Sequence, residues 1–263
     1  MNPFQRIPIF HMASLARSGE TLVQKYLSAH SKIHICHNLY KDDSPKEIAL
    51  FEHLMTRKSR SIGVRHPMAR HLKSKKGDAL VIKQGVWNHP HPFNGFVLAR
   101  NPLSVFASLW TYDIKERGGS PELNWVYNIE RMKRWLGKMD VTLLERFDHL
   151  SPEQQFSAFY NQRTDHLASL GLKILRYEDL FVDPEKWLSE ACSAMGLAYE
   201  SQMADAHLMF KDRKEGHGGT DLSRPLDNRS LGKYQDVLSE EQVRLVAAET
   251  GQTASKMGYS LDA

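Results

Sequence analysis

The stretch from Phe10 to Leu22 constrains this chain most, because it combines a strand pattern, a turn of small residues and the start of a helix. The helical pattern continues through Leu27 to about His30. The first backbone N–H groups of a helix have no partners within it, and the helix dipole adds partial positive charge there. The small residues let an anion approach closely, and Arg17 supplies a full positive charge. The stretch therefore predicts a phosphate-binding loop between a strand and a helix.

Continuous apolar runs at 79–83 and 95–99 predict strands that are covered on both faces, as in a parallel sheet. Further strands are predicted at 32–36 and 173–177. Strands that alternate with helices predict an α/β fold with a central parallel sheet flanked by helices. The main helices after the first are expected at 45–57, 67–75, 103–115, 184–195 and 239–249.

The segment 121–170 has a helical pattern and many aromatic residues, which at helical spacing are typical of a core. We expect one domain over residues 1–263, with a helical elaboration at about 121–170. The segment 210–235 has few periodic apolar residues and is expected to be a long loop, a kind of segment that is usually functional or disordered. The aromatic residues expected in the core are Trp125, Tyr127, Trp135, Phe147, Phe156, Phe159 and Tyr160.

Composition narrows the classes of function. The formal net charge of +4 suits an anionic ligand, but without a block of Lys and Arg it does not indicate nucleic acid. Cys36 and Cys192 are too few for a disulfide scaffold and favour a reducing compartment. The first residues lack a signal-peptide core, and no apolar run reaches the roughly 18 residues of a membrane helix. We therefore expect a cytoplasmic protein without stable membrane insertion.

A second motif also follows a predicted strand. Arg100-Asn101-Pro102 comes directly after the strand at 95–99, and Ser108 lies two turns into the next helix. Ligands of open α/β sheets bind at such strand ends, so this arginine and hydroxyl could grip a phosphate group. Neither loop is a Walker A motif, and no Asp at a strand end clearly offers a magnesium site. A phosphate-bearing cofactor without an obligatory metal is the expectation that remains.

These motifs resemble those of the sulfotransferases that use 3′-phosphoadenosine 5′-phosphosulfate (PAPS), most closely the tyrosylprotein and bacterial branches. Arg17-Ser18-Gly19-Glu20-Thr21-Leu22 is similar to the 5′-phosphosulfate loop of that family, and the stretch from Arg100 to Ser108 is similar to its 3′-phosphate motif. The resemblance implies a P-loop NTPase-like sulfotransferase fold with a helical insertion, and PAP as the product. It extends to Arg176-Tyr177-Glu178-Asp179-Leu180, where Tyr177 is expected near the nucleotide, and to a nucleotide-covering loop from Thr220 to Tyr234 that includes Lys233.

The resemblance also implies catalytic roles. Arg17 is expected to stabilise the leaving group, and the backbone N–H groups from Gly19 to Thr21 to hold the phosphate. Lys83 matches a lysine that contacts the transferring group, although an ordinary strand-end lysine is the alternative. His37 stands where the family carries its base, with a surface histidine as the equally weighted alternative. His34, His66 and His89 are lesser candidates for the base, and no metal is expected.

Glu20 departs from the family pattern, which has Thr or Ser at this position. An inward-pointing carboxylate should weaken cofactor binding, whereas an outward-pointing one is a favourable acid at a helix N-terminus. We expect the outward orientation.

The sequence predicts transfer of a sulfuryl group to a hydroxyl of a glycan, lipid-linked sugar or small metabolite. A non-catalytic protein that binds PAP or PAPS is the alternative from another class. A nucleotide kinase of P-loop type is a third, and the absence of the Walker lysine argues against it. The identity of the acceptor and the oligomeric state stay open.

Overall fold

The computed structural model describes residues 6–36, 61–63, 79–84, 94–111, 120–136, 141–212, 215–216 and 219–261. A sheet of six strands lies at the centre of these residues. Its strands are β1 (Arg6–Ser14), β2 (Ile33–Cys36), β3 (Ser61–Gly63), β4 (Ala79–Gln84), β5 (Gly95–Ala99) and β6 (Lys173–Arg176).

The sheet runs in the order β2-β4-β1-β5-β6, and all of these pairs are parallel. β3 pairs antiparallel with the beginning of β1. In β1, Ile9 lies opposite Leu80 of β4, and His11 lies opposite Gly95 of β5. The neighbours β1 and β5 therefore end at the same edge of the sheet, so the loops that follow them lie side by side. This topology confirms the predicted α/β fold with a central parallel sheet.

Helices cover the sheet on both faces. Phe96 and Leu98 of β5 join a core with α1 and α7, whereas Val97 and Ala99 join a second core with α2, α5 and α9. Burial on both faces explains why β5 is a continuous apolar run. The helices are α1 (Glu20–Ser28), α2 (Pro102–Trp110), α3 (Pro121–Leu136), α4 (Val141–Arg146), α5 (Pro152–Ser169), α6 (Asp179–Val182), α7 (Pro184–Ala194), α8 (Tyr234–Val237) and α9 (Glu240–Ser255).

Local side-chain caps fix several helix starts. The Asn101 side chain accepts a hydrogen bond from the Leu103 N–H, and Pro102 occupies the first helical position of α2. Capping boxes begin α5 at Ser151 and α9 at Ser239. The cap on α2 fixes the direction in which the chain leaves β5.

The segment 121–170 forms α3, α4 and α5, as predicted. Trp125, Phe147, Phe156, Phe159 and Tyr160 are buried in the second core, which confirms their predicted packing role. The side chains of Tyr127 and Trp135 lie outside the described residues.

Some elements differ from the prediction. The last helix, α9, continues six residues beyond the predicted end at 249, because Thr250 and Ala254 are buried on its inner face and sustain it through Gly251. α1 ends at Ser28, two residues early, and α2 at Trp110. The short elements β3 and α6 were not predicted. The helices expected at 45–57 and 67–75 lie outside the described residues, as does the stretch from 112 to 115.

The predicted long loop at 210–235 contains short elements. β7 (Glu215–Gly216) pairs antiparallel with β8 (Thr220–Asp221), and a 3₁₀ turn follows at Asn228–Ser230. Leu222 is fully buried and anchors this part of the chain in the first core. Within the described ranges, no helix is long and apolar enough to cross a membrane.

Candidate anion and nucleotide site

The loop between β1 and α1 has the geometry of an anion-binding loop. Arg17 has a φ of 74°, and it is the one non-glycine residue with positive φ in the described part of the chain. Gly19 precedes the helix with a φ of 90°, and it offers no side chain to cap the N–H groups of the first turn. These groups therefore point toward the loop as donors for an anion.

The neighbouring loop residues have different surroundings. Ser18 and Thr21 are buried, and Leu22 is half-buried against the first core. Leu22 therefore contributes its side chain to packing.

Tyr177 packs directly against Gly19. A Cβ atom built on Gly19 would lie 2.1 Å from Cε2 of the Tyr177 ring. Glycine is therefore required at this position by space as well as by its positive φ. The contact places Tyr177 beside the predicted phosphate loop.

The two predicted phosphate motifs meet at the sheet edge. Arg17 donates from Nε to Ser108 Oγ at 3.1 Å, across 91 residues of sequence. Arg100 donates from Nη1 to the Arg17 carbonyl oxygen at 2.9 Å. Both guanidinium groups therefore lie beside the same loop.

Arg100 has contacts on several sides of its guanidinium group. Its Nη2 donates to the Ser230 carbonyl oxygen at 3.2 Å, and its guanidinium carbon lies 4.7 Å from the centre of the Tyr177 ring. Its Nε is buried and has no hydrogen-bond partner among the described residues. Burial raises the pKa of Tyr177, whose hydroxyl lies 3.1 Å from Ser230 Oγ. The Nε–H of Arg100, which has no hydrogen-bond partner among the described residues, is therefore a donor available to an anion.

The chain from Gly219 to Tyr234 reaches this site through Ser230. It is also held to α1, because the buried Lys25 donates from Nζ to the Arg224 carbonyl oxygen at 2.6 Å. Burial lowers the pKa of Lys25 to about 8, and the nearby Asp221 and Asp227 oppose this shift. This segment also contains two predicted cofactor residues: Thr220 is half-buried in β8, and Lys233 is exposed just before α8. Neither hydrogen-bonds to Arg17, Arg100 or Tyr177 among the described residues.

Glu20 does not point outward as expected. Its side chain is 5% exposed, and its Oε1 accepts a hydrogen bond from Ser14 Oγ at 3.1 Å. The expectation of an exposed helix acid is wrong, because Ser14 at the end of β1 offers a buried donor within reach. The carboxylate thus lies beneath the loop that the two arginines face.

Arg163 of α5 was missed by the sequence analysis. It is fully buried, and its Nη2 donates to the Ser14 carbonyl oxygen at 3.4 Å. Burial lowers its pKa to about 9. Nothing in the sequence distinguishes it from a surface arginine, since arginines are mostly exposed.

α5 also lies behind the loop. Its Tyr160 and Thr164 line a small cavity together with Ser18 and Arg100. The helical elaboration therefore supports the site from behind.

The candidates for the catalytic base are mostly outside the described residues. His37, His66 and His89 all lie there. His34 is half-buried in β2, and Lys83 lies in β4 opposite Met12, with its side chain outside the description. The described ranges contain no group of three or more His, Cys, Asp or Glu side chains that could hold a metal ion.

This arrangement fits a ligand with phosphate groups. Two guanidinium groups, an uncapped helix N-terminus and a buried unpartnered N–H donor lie at one edge of the sheet. An aromatic ring, Tyr177, lies among them.

The protein has the fold of sulfotransferase domains. It is similar to the sulfotransferase domain from the curacin biosynthetic pathway, with 17% identity, coverage of 97% of this chain and 98% of that one, and a TM-score of 0.55. It is also similar to the sulfotransferase domain from the olefin synthase of Synechococcus PCC 7002, with 13% identity, coverage of 100% and 98%, and a TM-score of 0.54. No protein-family model and no curated protein matches the chain. The predicted resemblance is thus confirmed in the fold.

Proposed function

We propose that this protein transfers the sulfuryl group of PAPS to a hydroxyl of a glycan, lipid-linked sugar or small metabolite. The observation that carries the proposal is the meeting of the two phosphate motifs, where Arg17 bonds Ser108 and Arg100 bonds the Arg17 carbonyl. A 5′-phosphate group and a 3′-phosphate group on one nucleotide need two such anion sites close together.

Different residues bind each of the two phosphates. Arg100 and Ser108 hold the 3′-phosphate, and Tyr177 flanks the nucleotide. The loop from Arg17 to Thr21 holds the 5′-phosphate with its backbone N–H groups, and Arg17 stabilises negative charge there as it develops. PAPS, when bound, supplies an activated sulfuryl group.

The acceptor hydroxyl must lose its proton as it reacts. We assign the role of the base that takes this proton to His37, because a neutral imidazole accepts a proton near pH 7. Lys83 is proposed to contact the transferring group. Thr220 and Lys233 belong to the segment that covers the nucleotide. The loss of turnover in His37→Ala, with PAP affinity kept, is the expected result for a base that does not hold the cofactor.

Calorimetric titration with PAP tests cofactor use. The wild type should bind PAP with and without magnesium, and Arg100→Ala should weaken binding at least about tenfold, because a hydrogen-bonded charge contributes about 1.5–3 kcal/mol. Arg17→Ala should weaken it by a similar factor. Arg244→Ala, at an exposed position of α9, is the matched control. A wild type that ignores PAP at millimolar concentration contradicts the proposal.

The buried Glu20 favours one second candidate, a protein that binds PAP or PAPS without chemistry. A carboxylate beneath the loop opposes the accumulation of negative charge that the reaction requires. Sulfate transfer to any hydroxyl acceptor, measured with labelled PAPS, eliminates this candidate.

A further inference from the structure

The backbone of Arg100 is held on both sides by two consecutive residues. Before it, the Ala99 carbonyl oxygen accepts a hydrogen bond from the Tyr177 N–H at 2.8 Å. After it, the Asn101 N–H donates to Oε1 of Glu178 at 3.1 Å. The direction in which the Arg100 side chain leaves the backbone is therefore fixed by the turn at 177–178.

Glu178 is itself held by the chain that follows α9. Its second oxygen, Oε2, accepts a hydrogen bond from the Tyr259 hydroxyl at 2.5 Å. Tyr259 is 9% exposed, and burial together with the Glu178 carboxylate raises the pKa of its hydroxyl far above the ordinary value. The hydroxyl therefore stays protonated and acts as a donor, which leaves Oε1 of Glu178 directed at the Asn101 N–H.

Tyr259 is anchored independently of Glu178. Arg176 donates from Nη1 to the Gly258 carbonyl oxygen at 2.8 Å, and its guanidinium carbon lies 5.8 Å from the centre of the Tyr259 ring. Asp179 fixes the same guanidinium through two hydrogen bonds of 2.9 and 2.7 Å. The Tyr259 hydroxyl thus acts from a fixed support.

We infer that Tyr259 is a positioning residue for Arg100, acting through the Glu178 carboxylate on the backbone at Asn101. The inference rests on the proposed function and deepens it, since it assigns Tyr259 to recognition of the 3′-phosphate. The Tyr259 hydroxyl donates a hydrogen bond to Glu178, and Glu178 in turn accepts one from the Asn101 N–H. The influence of Tyr259 on the ligand therefore passes through the backbone next to Arg100. A positioning role of this kind predicts an effect on one phosphate of the nucleotide and not on the other.

The test compares Tyr259→Phe with the wild type, using calorimetry with PAP and with adenosine 5′-phosphate, which lacks the 3′-phosphate. The variant keeps the ring and loses the hydroxyl. We expect its affinity for PAP to fall about tenfold, because the hydrogen bond that it loses is to a charged group. Its affinity for adenosine 5′-phosphate should change less than about twofold. Tyr199→Phe, at a half-buried tyrosine elsewhere in the chain, is the control and should leave both affinities unchanged.

A second variant, Glu178→Gln, keeps an oxygen that accepts from the Asn101 N–H. It weakens the hydrogen bonds of residue 178 to Asn101 and Tyr259, because the negative charge is removed. It should show the same selective loss at a smaller size, about threefold for PAP. It also decides the matter if Tyr259→Phe does not fold, as judged by its thermal unfolding.

Three results overturn the inference. An unchanged affinity of a folded Tyr259→Phe for PAP does so, as does an equal loss for both nucleotides, which indicates a general structural role. Failure of the wild type to bind PAP overturns the proposed function as well, so the two failures are distinguished before any variant is compared.

Discussion

At the scale of single residues, positive φ serves two purposes in the loop after β1. At Gly19 it lets the chain enter α1, and the absence of a side chain there makes room for the ring of Tyr177. In Arg17 the positive φ costs about 1–3 kcal/mol. Such a conformation is kept only where surrounding contacts stabilise it. Those contacts are the hydrogen bonds to Ser108 and from Arg100. The conformation is therefore stabilised by residues that the proposed function also needs.

The contact between Gly19 and Tyr177 gives a stability prediction. Gly19→Ala should lower the free energy of unfolding by more than about 2 kcal/mol, because the new methyl overlaps the ring and strains the positive φ. Gly171→Ala is the matched control: its φ is also positive, at 64°, but nothing lies within 4 Å of the new Cβ. It should cost only about 1 kcal/mol. Equal losses for the two variants in urea unfolding contradict this account.

Removal of the buried charge at Glu20 should strengthen nucleotide binding. Glu20→Gln keeps an oxygen that accepts from Ser14 and removes a negative charge beneath the loop. We expect PAP affinity to rise about threefold or more. Calorimetry of this variant, with Glu249→Gln at an exposed position of α9 as control, checks the sign. A fall in affinity would mean that the carboxylate supports the loop more than it repels the ligand.

At the scale of elements, the segment from Gly219 to Tyr234 is attached to the rest of the protein at three points. Leu222 is buried in the first core, Lys25 of α1 donates to the Arg224 carbonyl, and Ser230 contacts both Arg100 and Tyr177. One apolar anchor and three hydrogen bonds hold it beside the loop at the sheet edge.

Leu222 is the anchor that a single substitution can remove. Leu222→Ala should lower the free energy of unfolding by about 2–4 kcal/mol, the usual cost of an emptied leucine site in a core. Leu226→Ala, at a half-buried leucine of the same segment, should cost less. Chemical denaturation of the two variants measures the difference. If both cost the same, the segment is not anchored at Leu222.

At the scale of the whole molecule, several ionisable groups lie inside the structure. Burial lowers the pKa of Lys25 to about 8 and that of Arg163 to about 9, and it raises the pKa of Cys192 to about 11. The pKa values of Tyr26 and Tyr160 are raised as well. These shifts have opposite consequences for stability, so a single group must be isolated by comparison with a variant.

The lowered pKa of Lys25 should make the free energy of unfolding rise with pH. The unfolded chain keeps the Lys25 proton up to its ordinary pKa of 10.5, whereas the folded chain releases it near 8. Between these values the unfolded state binds more protons, so the free energy of unfolding rises with pH. The difference in this free energy between the wild type and Lys25→Met should therefore shift in favour of the wild type from pH 7.5 to pH 9.5. The other groups are common to both proteins and cancel, so a constant difference contradicts the prediction.

The parallel sheet, most of its strands and the two arginines at strand ends could be predicted from the sequence, whereas the order of the strands was not predicted. A strand buried on both faces is a continuous apolar run, and on that pattern β5 was predicted with its bounds. The edge strand β6 was predicted within one residue. The positions of the two arginines follow from the strand ends, because Arg17 lies shortly after β1 and Arg100 directly after β5. β3 was missed because three residues are too few to show a periodic pattern. The last helix was predicted too short, because a glycine such as Gly251 is typical of a helix end.

The surroundings of those arginines depend on contacts between distant parts of the chain. Glu20 turned inward because Ser14 lay within reach, Arg163 was buried because α5 packs behind β1, and Tyr259 met Glu178 across 81 residues of sequence. Local propensity and periodicity report on neighbours a few residues apart, whereas these contacts depend on the packing of distant elements. A buried charge leaves no local pattern, because its environment is built by other parts of the chain.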